Sequence, residues 1–322
     1  MKILAIETSC DETAAAVVAN GTTILSNVVA SSSAMHKKYG GIVPEVAARE
    51  QLKSIIPVLT EALMQAKISY DHVDAIAVTV GPGLIGSLLV GVETAKTIAM
   101  ITGKPIIPVN HVLAHMYANF VGGKNIQFPA ISLVVSGGHT ELYLMKSEKD
   151  ITWLGGTIDD AAGEAFDKTA RLLGFENGGG PAIEKAAQKN DALSFHLPRP
   201  LLHDSSFNFS FSGFKTAVMR EWKRSDARDV RGFAYEVQDA ITDVLTAKTL
   251  GAAKKYNAKT VLLSGGVAAN AKLREKLPHA IAPPIHLCTD NAAYIASYAF
   301  FRGEPQPWKD ITAIPDLSVE NI

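Results

Sequence analysis

Cysteine is nearly absent from this chain: Cys10 and Cys288 lie far apart and form no C-x-x-C pair. Two thiols make no disulfide framework, so a reducing compartment is expected. No secretory signal is read, because Glu7 interrupts the apolar start. No apolar run reaches the ~18 residues of a membrane span. The best stretch, Leu84 to Ile101, carries Glu93 and Lys96. A cytoplasmic protein with no membrane association is the expectation. An excess of either charge is also lacking, since 31 basic and 32 acidic side chains leave a formal net charge of -1. That balance argues against a free-standing cationic nucleic-acid binder. Two signatures are missing as well: the P-loop GxxxxGK[ST] and the HExxH of zinc proteases. What is present is a 322-residue chain with 47% apolar and 20% charged residues, enough for about two folded domains.

The elements read as a duplication. Ile3 to Ile6 and Ala14 to Val18 form a hairpin around the polar turn from Glu7 to Thr13. Ile131 to Val135 and Leu142 to Met145 form another around Ser136-Gly137-Gly138-His139-Thr140. The strand Val73 to Val80 leads through Gly81-Pro82-Gly83 into a helix ending near Thr102. The strand Thr260 to Ser264 leads through Gly265-Gly266 into a helix ending near Leu277. Each half thus reads hairpin, helix, strand, glycine turn, helix. The expected fold class is α/β, a duplicated two-lobed fold with a cleft between the lobes and ligand turns at strand carboxyl ends. The expected division is 1–108, with 304–322 packed back on it, and 109–303, with a helical insertion at about 159–214.

Several groups could carry chemistry. Ser136-Gly137-Gly138, Ser264-Gly265-Gly266 and Gly178-Gly179-Gly180-Pro181 could each present backbone amides to a phosphate. Each could equally be a tight turn, but their repetition in a duplicated plan favours a nucleotide site. Asn110 is a good N-cap, so His111 and His115 would share one face of the helix it starts. Four-residue spacing can clamp a metal, or it can be chance. A carboxylate should join the pair. Asp290, expected after a strand ending at Leu287, is the candidate, although it also suits the N-cap of a helix Ala292 to Arg302. Val112 stands where a zinc protease needs its glutamate, which disfavours that reading. Asp160, Glu164 and Asp167 fall on one helical face and would repel without a cation. Lys215, Arg220, Lys223, Arg224, Arg228 and Arg231 gather around Trp222, and Lys37-Lys38-Tyr39 forms a smaller basic site. Both basic groups read more simply as solvated faces than as an RNA groove.

These residues resemble the tRNA adenosine threonylcarbamoyltransferases, once labelled O-sialoglycoprotein endopeptidases. The resemblance runs from Met1 to about Arg302. It is carried by Ile6 to Thr13, Tyr39 to Glu45, Gly81-Pro82-Gly83-Leu84, Val135 to Thr140, Asp159 to Lys168, Ser210-Phe211-Ser212-Gly213 and Gly265 to Asn270. His139 looks like the bacterial branch. The resemblance implies the actin-like ATPase and sugar-kinase (ribonuclease H-like) superfold with a central nucleotide cleft. It implies transfer of threonylcarbamoyl from threonylcarbamoyl-AMP to the exocyclic amine of the adenosine 3′ of the anticodon, position 37, in tRNAs reading ANN codons. It implies one Fe2+ or Zn2+ on His111, His115 and Asp290. It implies an adenylate held by Val134, Val135, Ser136, Gly137, Gly138, Asp167, Gly180, Glu184 and Asn270. It also implies companion subunits, an inactive paralogue and a small ATPase in bacteria. The chain departs from the family pattern at Leu113-Ala114, where bacterial members carry Glu-Gly, and at Asn177-Gly178, where they carry Tyr-Pro.

A mixed carbamoyl-phosphate anhydride is already activated, so positioning and charge stabilisation are what it asks of an enzyme. Asp11 and Glu12, at the first hairpin tip, are the candidate proton acceptors. The competing readings are an ATPase or sugar-kinase-like phosphotransferase of the same superfold, and a nucleotide-binding scaffold. The imidazole pair separates them, because a magnesium-dependent kinase needs oxygen ligands. With tRNA as substrate, the near-neutral charge implies that partners supply much of the basic surface.

Overall fold

In the computed structural model, residues 1–36, 39, 41–175, 179–187, 195–224 and 229–320 are described. The first apolar segments build one five-stranded sheet. β1 (Lys2–Glu7), β2 (Glu12–Ala19) and β3 (Thr23–Ser31) run antiparallel, and β4 (Ala75–Gly81) and β5 (Ile106–Asn110) add in parallel, in the order β3-β2-β1-β4-β5. β1, β2 and β4 are near-continuous Ala, Ile, Leu and Val runs because helices cover the sheet. A short helix α1 (Ser33–His36) is followed by α2 (Pro44–Ala66), which starts with Pro44 in the first turn and stops at Lys67 in the left-handed region. α3 (Ile85–Thr102) stops at Gly103, φ 69°. Leu4, Ile6, Val17, Leu59, Val78 and Val92 centre the core. By length and composition α3 could cross a membrane. Here one side of it packs on α2 and β4.

The second sheet repeats the first. β6 (Ala130–Val135), β7 (Thr140–Met145) and β8 (Ile151–Gly156) run antiparallel and β9 (Thr260–Ser264) pairs in parallel with β6, in the order β8-β7-β6-β9. Where the first sheet has β5, the second has a single parallel bridge between Leu262 and Ile281. Both halves contain a third strand that the sequence reading lacked. β3 keeps several partly exposed polar positions, and β8 ends on Gly155-Gly156, so neither presents a clean apolar run.

The compact units are residues 1–126 with 283–322, and residues 127–282. Residues 109–126 and 283–303, assigned to the second lobe from sequence, therefore go with the first. The reason is packing: α4 (His111–Met116) and α10 (Ala292–Phe301) lie on each other, and α10 lies on β1, β2, β4 and β5. The tail bonds to the same sheet through Gln306 N–H to Ile106 and Ile314 N–H to Val80. In the second unit, α5 (Ala162–Leu172), α6 (Gly179–Ala186), α7 (Ser212–Arg224), α8 (Val230–Lys255) and α9 (Ala271–Lys276) accompany the sheet. The helix expected after Gly265-Gly266 is instead a 3-10 turn at Gly266–Ala269 and then α9, because the Asn270 side chain caps a new helix on Leu273 N–H. The strand expected at Leu287 is a 3-10 turn, Ile285–Leu287, since Pro283 and Pro284 have no N–H for a ladder.

Candidate functional site

In the first unit, β5 delivers the chain to Asn110. Its Oδ1 accepts the N–H groups of Val112 (3.0 Å) and Leu113 (3.2 Å), which starts α4. His111 and His115 are then one turn apart, with ring centroids 4.7 Å apart. The cap of α10 is Asn291, accepting from Ala293 N–H at 3.0 Å, so Asp290 is not consumed as a cap. Its Oδ1 lies 3.7 Å from His111 Nε2 and 3.5 Å from His115 Nε2. One donor atom from each of the three residues falls within 4.8 Å of the others. Burial pushes the His111 pKa down, but the charges of Glu7 and Asp290 override it and raise the value to about 9. Burial pushes the Asp290 carboxyl up, opposed by His111. Tyr294 donates to Asp290 Oδ1 at 3.4 Å, and its ring sits 4.6 Å from that of His115. Two imidazoles and a carboxylate, converging in a buried place, suit zinc or iron.

Asp11 and Glu12 follow β1 on the same side. The Glu12 carboxyl is pushed up to about 9 by burial, a hydrogen bond with Asp11, and the charges of Asp11 and Asp290. Ser31 Oγ donates to it at 2.9 Å. The loop itself is gripped from two helices. Gln51 Nε2 on α2 donates to the carbonyls of Cys10 (3.0 Å) and Glu12 (2.9 Å), and Ser87 Oγ on α3 donates to Cys10 at 2.9 Å. Sequence reasoning missed Glu7, Gln51, Thr79 and Tyr294. For Glu7 the signal was a lone carboxylate closing an apolar strand. For Gln51 and Thr79 there was none, because their partners are remote in sequence, whereas Tyr294 stands only four residues after its partner Asp290.

In the second unit, Val134 and Val135 are fully buried in β6 and can offer a ligand only backbone. The turn Ser136-Gly137-Gly138 follows, closed by Ser136 N–H to His139 at 2.8 Å and tied to α5 by Gly163 N–H to Ser136 at 3.2 Å. Gly137 and Gly138 are exposed, and a Cβ on either would meet nothing within 4 Å. Gly265 differs: its φ is +89° and a Cβ would stand 2.4 Å from the Val135 carbonyl. Gly265 therefore serves the fold, whereas Gly137 and Gly138 leave room for something to approach. Asp167 on α5 accepts the Gly180 N–H, and burial raises its pKa. Glu184 on α6 accepts Ala271 N–H at 2.9 Å and Asn270 Nδ2 at 3.3 Å, and Asn270 also donates to Gln238 at 2.9 Å. The fold thus links Asp167, Gly180, Glu184 and Asn270.

Two of the three acids find their cation inside the protein. Asp160 precedes α5 rather than sharing its face, and Lys168 Nζ bridges Asp160 (2.6 Å) and Glu164 (2.7 Å). Asp159 accepts from Ser210 Oγ (2.6 Å), Phe211 N–H (2.7 Å) and Ser212 N–H (3.1 Å), fastening the start of α7. On α7, Trp222 packs edge-on against Phe233, ring centroids 4.9 Å apart, rather than offering a free stacking face. Lys37, Lys38, Asn177, Gly178 and Arg228 lie outside the described residues. On the first unit, Leu52 and Ile56 of α2 and Leu89 of α3 remain exposed along a groove of about 600 Å³.

A family model described as tRNA N6-adenosine threonylcarbamoyltransferase matches residues 23–297. A protein of that name from Persephonella marina is 50% identical over 313 residues, covering 94% of this chain and 90% of its own. Another, from Dehalococcoides mccartyi, is 50% identical over 327 residues, covering 99% of each. Among solved structures, component A of (R)-2-hydroxyglutaryl-CoA dehydratase from Acidaminococcus fermentans covers 93% of this chain and 98% of its own, with TM-score 0.55 at 15% identity. A phosphate- and nucleotide-bound HypF covers 93% of this chain and 46% of its own, with TM-score 0.63 at 11% identity. At such identities these two structures speak for the fold alone.

Proposed function

Because the chain belongs to the tRNA N6-adenosine threonylcarbamoyltransferase family, we propose that His111, His115 and Asp290 hold one divalent metal ion and that its second unit holds an adenylate. The fold is the duplicated α/β fold of the actin-like ATPase and sugar-kinase class. The protein is a transferase that modifies tRNA to threonylcarbamoyladenosine. The finer reading is that threonylcarbamoyl-AMP is the donor, and the adenosine at position 37 of tRNAs reading ANN codons is the acceptor. The observation that carries the metal assignment is the convergence of two imidazoles and one carboxylate within 4.8 Å. When bound, the metal, Fe2+ or Zn2+, supplies a Lewis acid and a template.

The residues of the chain divide the remaining work. The amides of Gly137 and Gly138 cradle the phosphate, supported by Asp167, Gly180, Glu184, Asn270 and the backbone of Val134 and Val135. The acceptor nitrogen forms its bond to the carbamoyl carbon, the bond from that carbon to the phosphate oxygen breaks, and AMP leaves with its charge on the glycine turn. Asp11 and Glu12, neighbours at the first hairpin tip, are the groups that take the proton released by the amine.

The net charge of -1 supports a division of labour in which this chain alone binds tRNA weakly. The exposed apolar groove of α2 and α3 supports a companion subunit, the inactive paralogue, docked there. A small ATPase completes the set, and the working place is the cytoplasm. The test is a single-turnover assay with threonylcarbamoyl-AMP, tRNA and the companion subunits. The wild type should transfer and His115→Ala should not. Equal transfer by both would remove the metal assignment. Tight, salt-sensitive tRNA binding by the isolated chain would contradict the division of labour.

A further inference from the structure

We propose that Glu7 is a positioning residue for the metal centre: its carboxylate takes the Nδ1–H of His111 and so leaves Nε2 as that ring's free lone pair, turned toward Asp290 and His115. This rests on the metal reading above. Glu7 closes β1 and is fully buried. Its Oε2 stands 3.0 Å from His111 Nδ1 and accepts the Thr79 hydroxyl at 2.5 Å, while its Oε1 accepts the Ser9 N–H at 2.5 Å. Three donors from three segments, β1's own loop, β4 and α4, therefore fix both oxygens. A buried carboxylate survives only when paired and hydrogen-bonded in this way.

A neutral imidazole has one N–H and one lone pair, and the group beside one nitrogen decides which nitrogen carries which. A carboxylate can only accept, so the proton of His111 belongs on Nδ1. The Ser9 hydroxyl, 3.3 Å from the same Nδ1, is compatible with that tautomer because its oxygen also accepts. The opposite nitrogen, Nε2, faces Asp290 Oδ1 at 3.7 Å. A metal-ligating histidine commonly donates its second N–H to such a carboxylate, which orients the ring and raises its basicity.

The experiment measures Zn2+ affinity of the purified protein by competition with a chromophoric chelator, and the visible spectrum of the Co2+-loaded protein. Glu7→Gln keeps the shape and removes the charge. It should weaken Zn2+ binding about 10- to 100-fold and alter the Co2+ spectrum. Thr79→Val, which removes one hydroxyl donor to Glu7 and keeps the carboxylate, should give a smaller loss in the same direction. A structural ion pair alone would lower thermal stability but leave the affinity and the Co2+ spectrum of the folded protein as they are. Wild-type affinity and spectrum in Glu7→Gln would overturn the proposal. If that variant does not fold, unchanged affinity in Thr79→Val would do so. Failure of the wild type itself to bind Zn2+ and Co2+ removes the underlying metal reading, which separates the two failures.

Discussion

The loop after β1 and the loop after β6 occupy the same place in two copies of one sheet, yet they are built for opposite chemistry. The first, Glu7 to Glu12, is acidic; its Cys10 carbonyl accepts from α2 and α3, and its Glu7 carboxylate is hydrogen-bonded to α4 and β4. The second, Ser136 to His139, is glycine-rich, with Gly137 and Gly138 exposed and their Cβ positions empty. Burying charge is expensive and needs several fixed partners, whereas a backbone amide brings a polar group without a net charge to desolvate. The duplicated plan thus supplies two frames. One is filled with buried carboxylates and imidazoles, and the other is an exposed glycine turn, which the proposed function gives to a phosphate.

The largest expected break in this comparison comes from His115→Ala. Loss of one of the three candidate ligands should empty the metal site and slow transfer on the order of 10²- to 10³-fold, read by metal analysis and a transfer assay. Gly265→Ala should cost about 1–3 kcal/mol of stability and lower Tm, because its positive φ and the Val135 carbonyl leave no place for a Cβ. Gly137→Val should do the converse. Its Tm should match the wild type, while adenylate affinity falls roughly tenfold, about 1.4 kcal/mol, in a calorimetric titration. If Gly137→Val unfolds the protein and leaves affinity intact, the loop is a structural turn like that of Gly265.

The smallest effect belongs to Asp159. Burial pushes its carboxyl up, but hydrogen bonds from Ser210, Phe211 and Ser212 win and hold it below the usual carboxylate range. The folded state therefore favours the ionised form. The contribution is present above the unfolded value near ~3.9 and is lost as pH falls through the lower folded value. The group is largely exposed, so Asp159→Asn should cost well under ~1 kcal/mol at neutral pH, with the difference from wild type shrinking in acid melts.

Much of this was legible from residue order. The strand–turn–strand patterns at Ile3–Val18 and Ile131–Met145 announced the duplication, and Asn110 before two histidines announced a capped helix with both rings on one face. Asp290 was read as the partner from a strand expected to end at Leu287, where the structure has a 3-10 turn. Its release from capping depended on Asn291 taking that role, a choice between neighbours that residue type does not decide. Glu7 was visible only as a lone carboxylate closing an apolar strand, and its role was hidden for a different reason. A carboxylate at a strand end looks solvent-facing until β4 and α4 are seen to enclose it, and Thr79 and His111 are 72 and 104 residues away. The boundary between the units was hidden in the same way. α10 reads as an apolar helix continuing the second half, and only its packing on β1 and β2 returns it to the first.

The central claim, a metal-dependent transfer to tRNA, is tested most directly by mass analysis of tRNA nucleosides from cells depleted of this protein and complemented with wild type or His115→Ala. Threonylcarbamoyladenosine should disappear on depletion, return with the wild type and stay absent with His115→Ala. Unchanged threonylcarbamoyladenosine on depletion, or its full return with His115→Ala, would contradict the account.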